Sequence, residues 1–275
     1  MKIKHRGDTP VSHNTTNMYD IEPHIAEIYD KEENYTDDVE LIRTLIGDQG
    51  LLRILEPFCG TGRIFIPLAL DGHQIFGLDQ AKGMLDHARR KIRQLPNEVQ
   101  RRITLVEADV TSEEWPRGFD LVILGGNCFY ELVTAEEQEE CILRASNSVK
   151  PGGYIYLDNN HMEGELDRSW QQSGVKKGFP TGRCLDGTNV ESTLETVWFD
   201  VQRRLARFRR CTKLTLPDGS IIEKEYLQQK HPVSTIEVQT WLENHGFNIR
   251  QLYGDRADNP YTETSDRAIF WAVRE

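Results

Sequence analysis

The sequence predicts a doubly wound α/β fold, in which a mostly parallel β-sheet carries helices on both faces, with an antiparallel β insertion after the fifth strand. Short apolar runs alternate five times with helical patterns in the first 160 residues, and strand patterns without helices follow them. Strands that alternate with helices build a parallel sheet, because each helix returns the chain across the sheet in a right-handed crossover. Strands joined by tight turns are antiparallel instead.

The five strands of the predicted parallel sheet are apolar runs of four to six residues. They cover 51–55, 74–78, 103–106, 119–124 and 154–157. Helical patterns surround them, and Thr134 with Glu137 three residues later forms a capping box that opens the last of these helices. The predicted helices cover 18–30, 36–46, 64–70, 82–95 and 134–149.

Between 160 and 232 the pattern changes to strands alone. Strand patterns cover 193–199, 204–216 and 221–229, and the turn sequence at 217–219 joins the last two. An insertion of this length at the carboxyl end of a strand is typical of a lid over a ligand site. Its unpaired edge also makes a homodimer through this sheet the main alternative role.

The chain after the insertion returns to the core. Ser234 and Glu237 form a second capping box. Two final strands at 248–253 and 268–273 are joined by a link too short for a helix, so they form a hairpin and place one antiparallel strand in the sheet. We therefore expect a flexible segment at 1–16, a core made of 17–159 and 233–275, and a lid at 160–232.

The charge balance argues against a nucleic-acid partner. The chain has 33 basic and 44 acidic residues and a formal net charge of −11, so it repels phosphate backbones. One basic cluster at 203–210 lies on a predicted strand, and we expect its arginines to pair with glutamates across the sheet.

The apolar and cysteine patterns indicate a cytoplasmic protein. No apolar run reaches the ~18 residues that a membrane helix needs, and residues 1–20 lack the apolar segment of a secretory signal. The five cysteines are odd in number and none forms a C-x-x-C pair, so we expect reduced thiols and neither a disulfide framework nor a structural zinc site.

Acidic residues follow three successive strands. Glu56 ends the first strand, Asp79 ends the second and Asp109 follows the third. The carboxyl ends of such strands meet at the ligand crevice, and Gly60 and Gly62 allow the intervening turn to approach a ligand closely. We interpret Glu56 as the acceptor of an ammonium, Asp79 as the acceptor of two ribose hydroxyls and Asp109 as the partner of an adenine amino group.

This set of acids favours S-adenosylmethionine over a dinucleotide. The dinucleotide fingerprint needs a third glycine, and Phe65 occupies that place. A carboxylate at Glu56 would also repel a pyrophosphate. S-adenosylmethionine has no phosphate, and its ammonium, ribose and adenine match the three acids.

The same segments resemble the motif series of class I S-adenosylmethionine-dependent methyltransferases, above all small-molecule enzymes with an antiparallel lid such as glycine/sarcosine and aminosugar N-methyltransferases. The resemblance implies a seven-stranded sheet and methyl transfer to a small molecule at nitrogen or oxygen. The matching segments are Ile54-Leu55-Glu56, Cys59-Gly60-Thr61-Gly62-Arg63, Gly77-Leu78-Asp79, Glu107-Ala108-Asp109 and Val149-Lys150-Pro151-Gly152-Gly153.

The resemblance also implies the cofactor contacts. Two positions depart from the family pattern: Phe58 stands where a small residue is common, and Ala81 stands where serine or threonine often caps the next helix. The implied contacts are Glu56, Cys59, Gly60, Thr61, Gly62 and Arg63 at the methionine end, Asp79 at the ribose, Gln80, Met84, Asp109 and Val110 at the adenine, Leu124 beside the sulfonium and Tyr29 over the cofactor.

Acceptor contacts are expected where the fourth and fifth strands end. Asn127 and Tyr130 follow the fourth strand, and Asn160 and His161 follow the fifth. Tyr130 and His161 are the candidate catalytic residues, and His161 has a side chain suited to a base.

A metal is not expected at the end of the fifth strand. The pair Asp158-Asn159 resembles that of metal-dependent catechol-type O-methyltransferases. Those enzymes also need an acid after the fourth strand, where this chain has Gly125-Gly126, and magnesium prefers more than one carboxylate.

Two other functions remain open. An RNA or protein methyltransferase would need a basic or peptide-sized groove. A binding protein would hold S-adenosylmethionine for regulation without turning it over.

Overall fold

The computed structural model describes residues 23–275. The segment 1–16 and the start of the helix predicted at 18–30 lie outside these residues. The strands are β1 Arg53–Pro57, β2 Gln74–Asp79, β3 Ile103–Glu107, β4 Phe119–Leu124, β5 Val149–Asn160, β6 Val175–Arg183, β7 Asn189–Asp200, β8 Leu205–Thr215, β9 Ile221–Lys230, β10 Phe247–Tyr253 and β11 Arg267–Arg274. The helices are α1 Pro23–Glu32, α2 Asp37–Ile46, α3 Phe65–Leu70, α4 Lys82–Ile92, α5 Asn97–Gln100, α6 Ala135–Ser148, α7 Arg168–Gln171 and α8 Thr235–Asn244.

The main sheet has seven strands in the order β10-β11-β5-β4-β1-β2-β3. The pairs among β1 to β5 are parallel, whereas β11 is antiparallel to both β5 and β10. The predicted doubly wound sheet with a C-terminal hairpin is therefore confirmed. Strand order reverses between β1 and β4, so the crevice lies at the carboxyl end of these two strands.

Both faces of the sheet are covered, which explains why its strands are continuous apolar runs. In β4, Val122 and Leu124 pack into one cluster with residues of α6 and α8. Leu121 and Ile123 point the other way and pack with residues of α2, α3 and α4. A strand buried on both faces needs apolar residues at every position rather than at every second one.

The strands β6 to β9 form a second, antiparallel sheet in chain order, which we call the lid sheet. Strand β6 was not predicted, and it is an edge strand with Pro180 buried in its middle. Its pairing with β7 shifts register between Gly178 and Gly182. Proline and glycine are tolerated in an edge strand, but they interrupt the sequence pattern by which a strand is recognised. The sequence therefore did not predict β6.

Helix α1 lies between the lid sheet and the core. It contacts both α4 and β6. Ile28 is buried against lid residues including Val190 and Leu214, and the Tyr29 and Phe179 rings meet edge-on with centroids 6.1 Å apart. The capping box at Ser234 and Glu237 forms as predicted.

Two smaller expectations concern the cysteines and the basic cluster. All five cysteines are free, and four of them are buried. In the basic cluster, Arg209 pairs with Glu195 at 2.9 Å and with Glu225 at 3.3 Å, as predicted for that strand. None of the helices between residues 23 and 275 is long and apolar enough to cross a membrane.

Candidate functional site

A cavity of about 250 Å³ opens where β1, β2 and β4 end, beneath α1 and the lid sheet. It lies at the predicted crevice and contains most of the predicted cofactor residues. Its walls come from the turn after β1, the end of β2, the segment after β4, helix α1 and two lid strands. The lining residues are Tyr29, Glu33, Glu56, Phe58, Cys59, Gly60, Thr61, Arg63, Ile64, Asp79, Gln80, Met84, Val110, Gly125, Gly126, Asn127, Cys128, Tyr130, Glu131, Phe179 and Lys230.

The turn after β1 is a left-handed backbone segment. Phe58, Gly60 and Gly62 have φ angles of 61°, 54° and 86°. A Cβ atom on Gly62 would lie 2.6 Å from the Phe65 ring, so only glycine fits there. Phe58 adopts the same backbone without being glycine, which is uncommon for a bulky side chain. This strain accounts for the small residue that the family pattern places at that position.

Glu56 is a buried carboxylate with an oxygen left unsatisfied. It is 4% exposed, and its Oε2 atom has no hydrogen-bond partner within the described residues. Burial raises the pKa of Glu56 well above its usual range, although the nearby Arg63 guanidinium acts in the opposite direction. A buried acceptor without a donor is costly, and a cationic donor in the cavity would relieve that cost.

Asp79 is held rigidly at the cavity wall. Its Oδ2 accepts the Gly60 N–H at 2.8 Å and its Oδ1 accepts the Ala81 N–H at 2.8 Å. Ala81, the N-cap residue of α4, has no side chain able to cap the helix. The Asp79 carboxylate instead fixes this residue through its own N–H. An ionised carboxylate has about four acceptor positions, so these contacts still leave room for hydroxyl donors.

Three predicted cofactor residues are not among those that line the cavity. Gly62 acts through the shape of the turn. Asp109 accepts the Thr111 N–H at 2.9 Å and its hydroxyl at 2.7 Å. Leu124 is fully buried in the core, and Gly125, the next residue, forms the wall. The assignments of these three residues stay predictions, as do those of the predicted cofactor residues that line the cavity.

Arg63 joins the cavity to a buried cluster of charges. Its guanidinium pairs with Asp38 at 2.7 Å, and Asp38 is fully buried. The same guanidinium lies 3.9 Å from the centroid of the Tyr35 ring, and Arg256 lies 4.2 Å from that centroid. These contacts fix α2 against the turn after β1, so Arg63 is positioned before any ligand binds.

Of the predicted acceptor residues, Asn127 and Tyr130 line the cavity. Asn127 also links the segment after β4 to the end of β5, since its Oδ1 accepts the Asn160 N–H at 2.6 Å. The Tyr130 hydroxyl donates to the Asn160 carbonyl at 3.3 Å. Burial raises the pKa of Tyr130 to about 12, which keeps the phenol protonated at neutral pH. Asn160 lines a neighbouring cavity instead, together with His161.

His161 and Asp158 are both engaged by protein groups. The two ring nitrogens of His161 contact the Thr235 hydroxyl and the Ser265 carbonyl. Fully buried Asp158 accepts from Arg256 Nε at 2.8 Å and from Arg267. These contacts favour structural roles, because each tethers β5 to the C-terminal part of the chain.

Several lining residues were not predicted. Glu33 directly follows α1, Glu131 lies in the short 3₁₀ helix after β4, and Phe179 and Lys230 come from the lid sheet. Each reaches the cavity through packing between distant segments, so no local motif marks it. The pair Gly125-Gly126 after β4 was the one local feature that indicates close packing at this wall. A Cβ atom on Gly125 would lie too close to Ile64.

Comparisons with known proteins agree with this geometry. Residues 54–153 match the model of a methyltransferase domain. The chain is 32% identical over 225 residues to a cypemycin N-terminal methyltransferase of Streptomyces, spanning 81% of this chain and 83% of that protein. It is 27% identical to a glycine/sarcosine N-methyltransferase of Aphanothece halophytica, spanning 85% of this chain and 80% of that one.

Solved structures share the fold. A sugar N-methyltransferase from Streptoalloteichus superposes with a TM-score of 0.68 at 16% identity, and each chain is covered completely. An S-adenosylmethionine-dependent methyltransferase from Clostridium acetobutylicum gives 0.69 at 17% identity, covering 90% of this chain and 97% of that one. At these identities the likeness shows the architecture alone.

Proposed function

The chain belongs to the class I S-adenosylmethionine-dependent methyltransferases, and on that premise we propose that it methylates an amine nitrogen of a small molecule. Support for nitrogen comes from the relatives, since one is named a glycine/sarcosine N-methyltransferase and another a cypemycin N-terminal methyltransferase. Support for a small acceptor comes from the cavity, whose walls include residues of α1 and of the lid sheet and whose volume is about 250 Å³.

The observation that carries the proposal is the unsatisfied Glu56 carboxylate beside Asp79 in one cavity. We assign Glu56 to the ammonium of the cofactor and Asp79 to its ribose hydroxyls. Gln80, Met84 and Val110 line the part of the wall that we assign to the adenine. The left-handed turn lets backbone approach the methionine end without a clashing Cβ atom.

When bound, S-adenosylmethionine would supply a methyl group that is activated by its sulfonium sulfur. Transfer of that methyl group to the acceptor would leave S-adenosylhomocysteine. The protein's part is then to align the acceptor and exclude water. Tyr29 and Phe179 pack edge-on over the cavity and serve as its roof. Asn127 and Tyr130 are placed to orient the acceptor. Glu33 and Glu131 add carboxylates to the same walls and favour an amine over a neutral hydroxyl.

The test is a turnover screen with isotopically labelled S-adenosylmethionine. Amines, matched alcohols, peptides and RNA are each incubated with the protein, and mass spectrometry locates the label. We expect labelled amines and formation of S-adenosylhomocysteine. Label on alcohols alone would overturn the choice of nitrogen, and label on RNA or protein would favour the alternative acceptors. Cofactor that binds and stays unchanged with every acceptor would indicate a regulatory binding protein.

A further inference from the structure

Lys230, the last residue of β9, lies where three cavities meet. It lines the cofactor cavity, and it lines a cavity of about 300 Å³ in the lid sheet, which we call the lid cavity. It also lines the cavity beside Tyr130 and His161. The other residues of the lid cavity are Ser169, Trp170, Lys176, Leu194, Phe208 and Arg210.

Lys230 lacks the acidic partner that Lys91 and Lys150 have in the described residues. Lys91 pairs with Asp30 at 2.6 Å, and Lys150 pairs with Asp120 at 2.9 Å. The described residues give Lys230 no ion pair within 4.0 Å and no hydrogen bond, and its Nζ atom lies 5.2 Å from the centroid of the Tyr130 ring. A partly buried cation without a counter-ion is costly, and an anion in the cavity would offset that cost.

The lid cavity is basic in a chain that is acidic overall. Its charged residues are Lys176, Arg210 and Lys230, and within residues 23–275 no carboxylate lines it. The chain as a whole has a net charge of −11. A cavity lined by positive charge raises the local concentration of anions, even in a protein whose net charge is negative.

One side of the lid cavity is aromatic. The Trp170 and Phe208 rings meet edge-on with centroids 5.4 Å apart. Tyr130, which lines the cofactor cavity, lies 5.9 Å from Trp170 between ring centroids. A ligand that reaches from the cofactor cavity into the lid cavity therefore passes Lys230 and meets an apolar surface.

We propose that Lys230 binds an oxyanion carried by the methyl acceptor, either a carboxylate or a phosphate ester, while an apolar part of that acceptor packs on Trp170 and Phe208. This inference rests on the proposed function and names the class of its substrate as an amine that also carries an anionic group.

The electrostatics of the site agree with this role. Burial lowers the pKa of Lys230 to about 8, and Arg210 acts in the same direction. A bound oxyanion favours the charged form and restores the pKa toward its ordinary value. Glu131, the acid that acts on Lys230 through space, is not close enough to form an ion pair.

The test uses three probes of matched shape: 3-phenylpropanoate, 2-phenylethyl phosphate and the neutral 3-phenylpropanamide. Their affinities are measured by calorimetry with and without saturating S-adenosylhomocysteine. We expect the better of the two anions to bind the wild-type protein about tenfold more tightly than the amide, since an added charge-assisted hydrogen bond is worth at least that factor. Which anion binds better identifies the source of the oxyanion.

Three variants decide whether Lys230 is responsible. Lys230→Met removes the charge and should abolish the preference, whereas Lys230→Arg keeps the charge and should retain it. Lys177→Met is the matched control, because Lys177 is exposed on β6 and lines none of these cavities. Equal binding of amide and anions to the wild type, or an undiminished preference in Lys230→Met, would overturn the proposal.

The two proposals fail in different ways. If S-adenosylhomocysteine does not bind, the proposed function fails, and the titrations without it still report on Lys230. If S-adenosylhomocysteine binds and the anions show no preference, only the substrate class is wrong.

Discussion

The turn after β1 and the lid sheet form opposite walls of one cavity, and they are built in different ways. The turn places its functional groups within a few residues of one another, from Glu56 to Arg63. The lid wall takes Phe179 from one strand and Lys230 from another, about 50 residues apart. The first wall is a local motif, whereas the second depends on the pairing of the four strands of the lid sheet.

The two walls are suited to different parts of substrate recognition. A compact turn that begins at a buried acid, Glu56, is suited to a single constant ligand, because few substitutions preserve its backbone. A sheet face can change its side chains strand by strand while its hydrogen-bonded ladder persists. We therefore expect changes in the turn to alter cofactor affinity and changes in the lid sheet to alter acceptor choice.

The largest expected effect comes from excising the lid sheet. Replacing 163–232 with a short Gly-Ser linker is feasible because the Met162 N–H donates to the Val233 carbonyl at 2.8 Å, so the cut ends are adjacent. We expect turnover to fall to background while the affinity for S-adenosylhomocysteine stays within a few-fold. Calorimetry measures the affinity, and circular dichroism checks that the core remains folded.

The same variant separates a lid from a dimerisation arm. Light scattering on both proteins gives the mass in solution. A truncated protein that is fully active would contradict the lid. If the mass changes from dimer to monomer and activity persists, the sheet serves assembly.

The next largest effect is expected for Asp79→Ala. The substitution removes the acceptor of the two proposed hydrogen bonds from the ribose, and it also removes the acceptor of the Gly60 and Ala81 N–H groups. Each charge-assisted bond is worth ~1.5–3 kcal/mol, so the affinity for S-adenosylhomocysteine should fall at least about a hundredfold. Glu107→Ala is the matched control, because Glu107 pairs with Asp79 in register and is exposed outside the cavity. Equal losses in both variants would contradict the ribose role.

A smaller effect, and on stability rather than turnover, is expected for His161→Ala. The substitution removes the partner of the Ser265 carbonyl. The Thr235 hydroxyl also loses His161 but keeps its hydrogen bond to the Tyr261 hydroxyl at 3.2 Å. A buried group left unsatisfied costs about 1–3 kcal/mol of the free energy of unfolding. Urea denaturation measures that loss, and kcat at saturating acceptor should stay within a few-fold of the wild type. A collapse of kcat with unchanged stability would instead make His161 the base.

Most of the fold followed from the sequence because its signals are local. Runs buried on both faces, capping boxes and the short link before β11 each depend on a few neighbouring residues. Strand β6 was missed because Gly178, Pro180 and Gly182 interrupt its pattern, and its existence depends on pairing with β7. A strand defined by its partner cannot be recognised from its own residues.

In the candidate site too, the residues that follow local motifs were predicted, and those placed by long-range pairing were not. Glu56 and Asp79 were predicted from their place after apolar strands, and both line the cavity. Lys230 and Phe179 were not predicted, because the sequence does not reveal which face of the lid sheet turns toward the core. Phe58 departs from the small residue that is common at its position, and the structure shows that its backbone there is left-handed.

If Glu56 binds the ammonium of the cofactor, its protonation state must change when the cofactor binds. In the free protein the pKa of Glu56 is raised, so the folded state holds its proton at a pH where the unfolded state has lost it. This contribution to stability is lost as the pH rises above the unfolded value toward the raised one. Glu56→Gln keeps a neutral side chain, so it should stabilise the ligand-free protein at the upper end of that window.

The most direct measurement is calorimetry of S-adenosylhomocysteine binding across this pH range in buffers of different ionisation enthalpy. An ammonium beside Glu56 favours its ionised form, so binding should release protons, and affinity should rise with pH until the raised pKa is passed. In Glu56→Gln we expect weaker binding and the loss of that proton release. Unchanged affinity and unchanged proton release in Glu56→Gln would contradict the account, as would tight binding of NAD to the wild type.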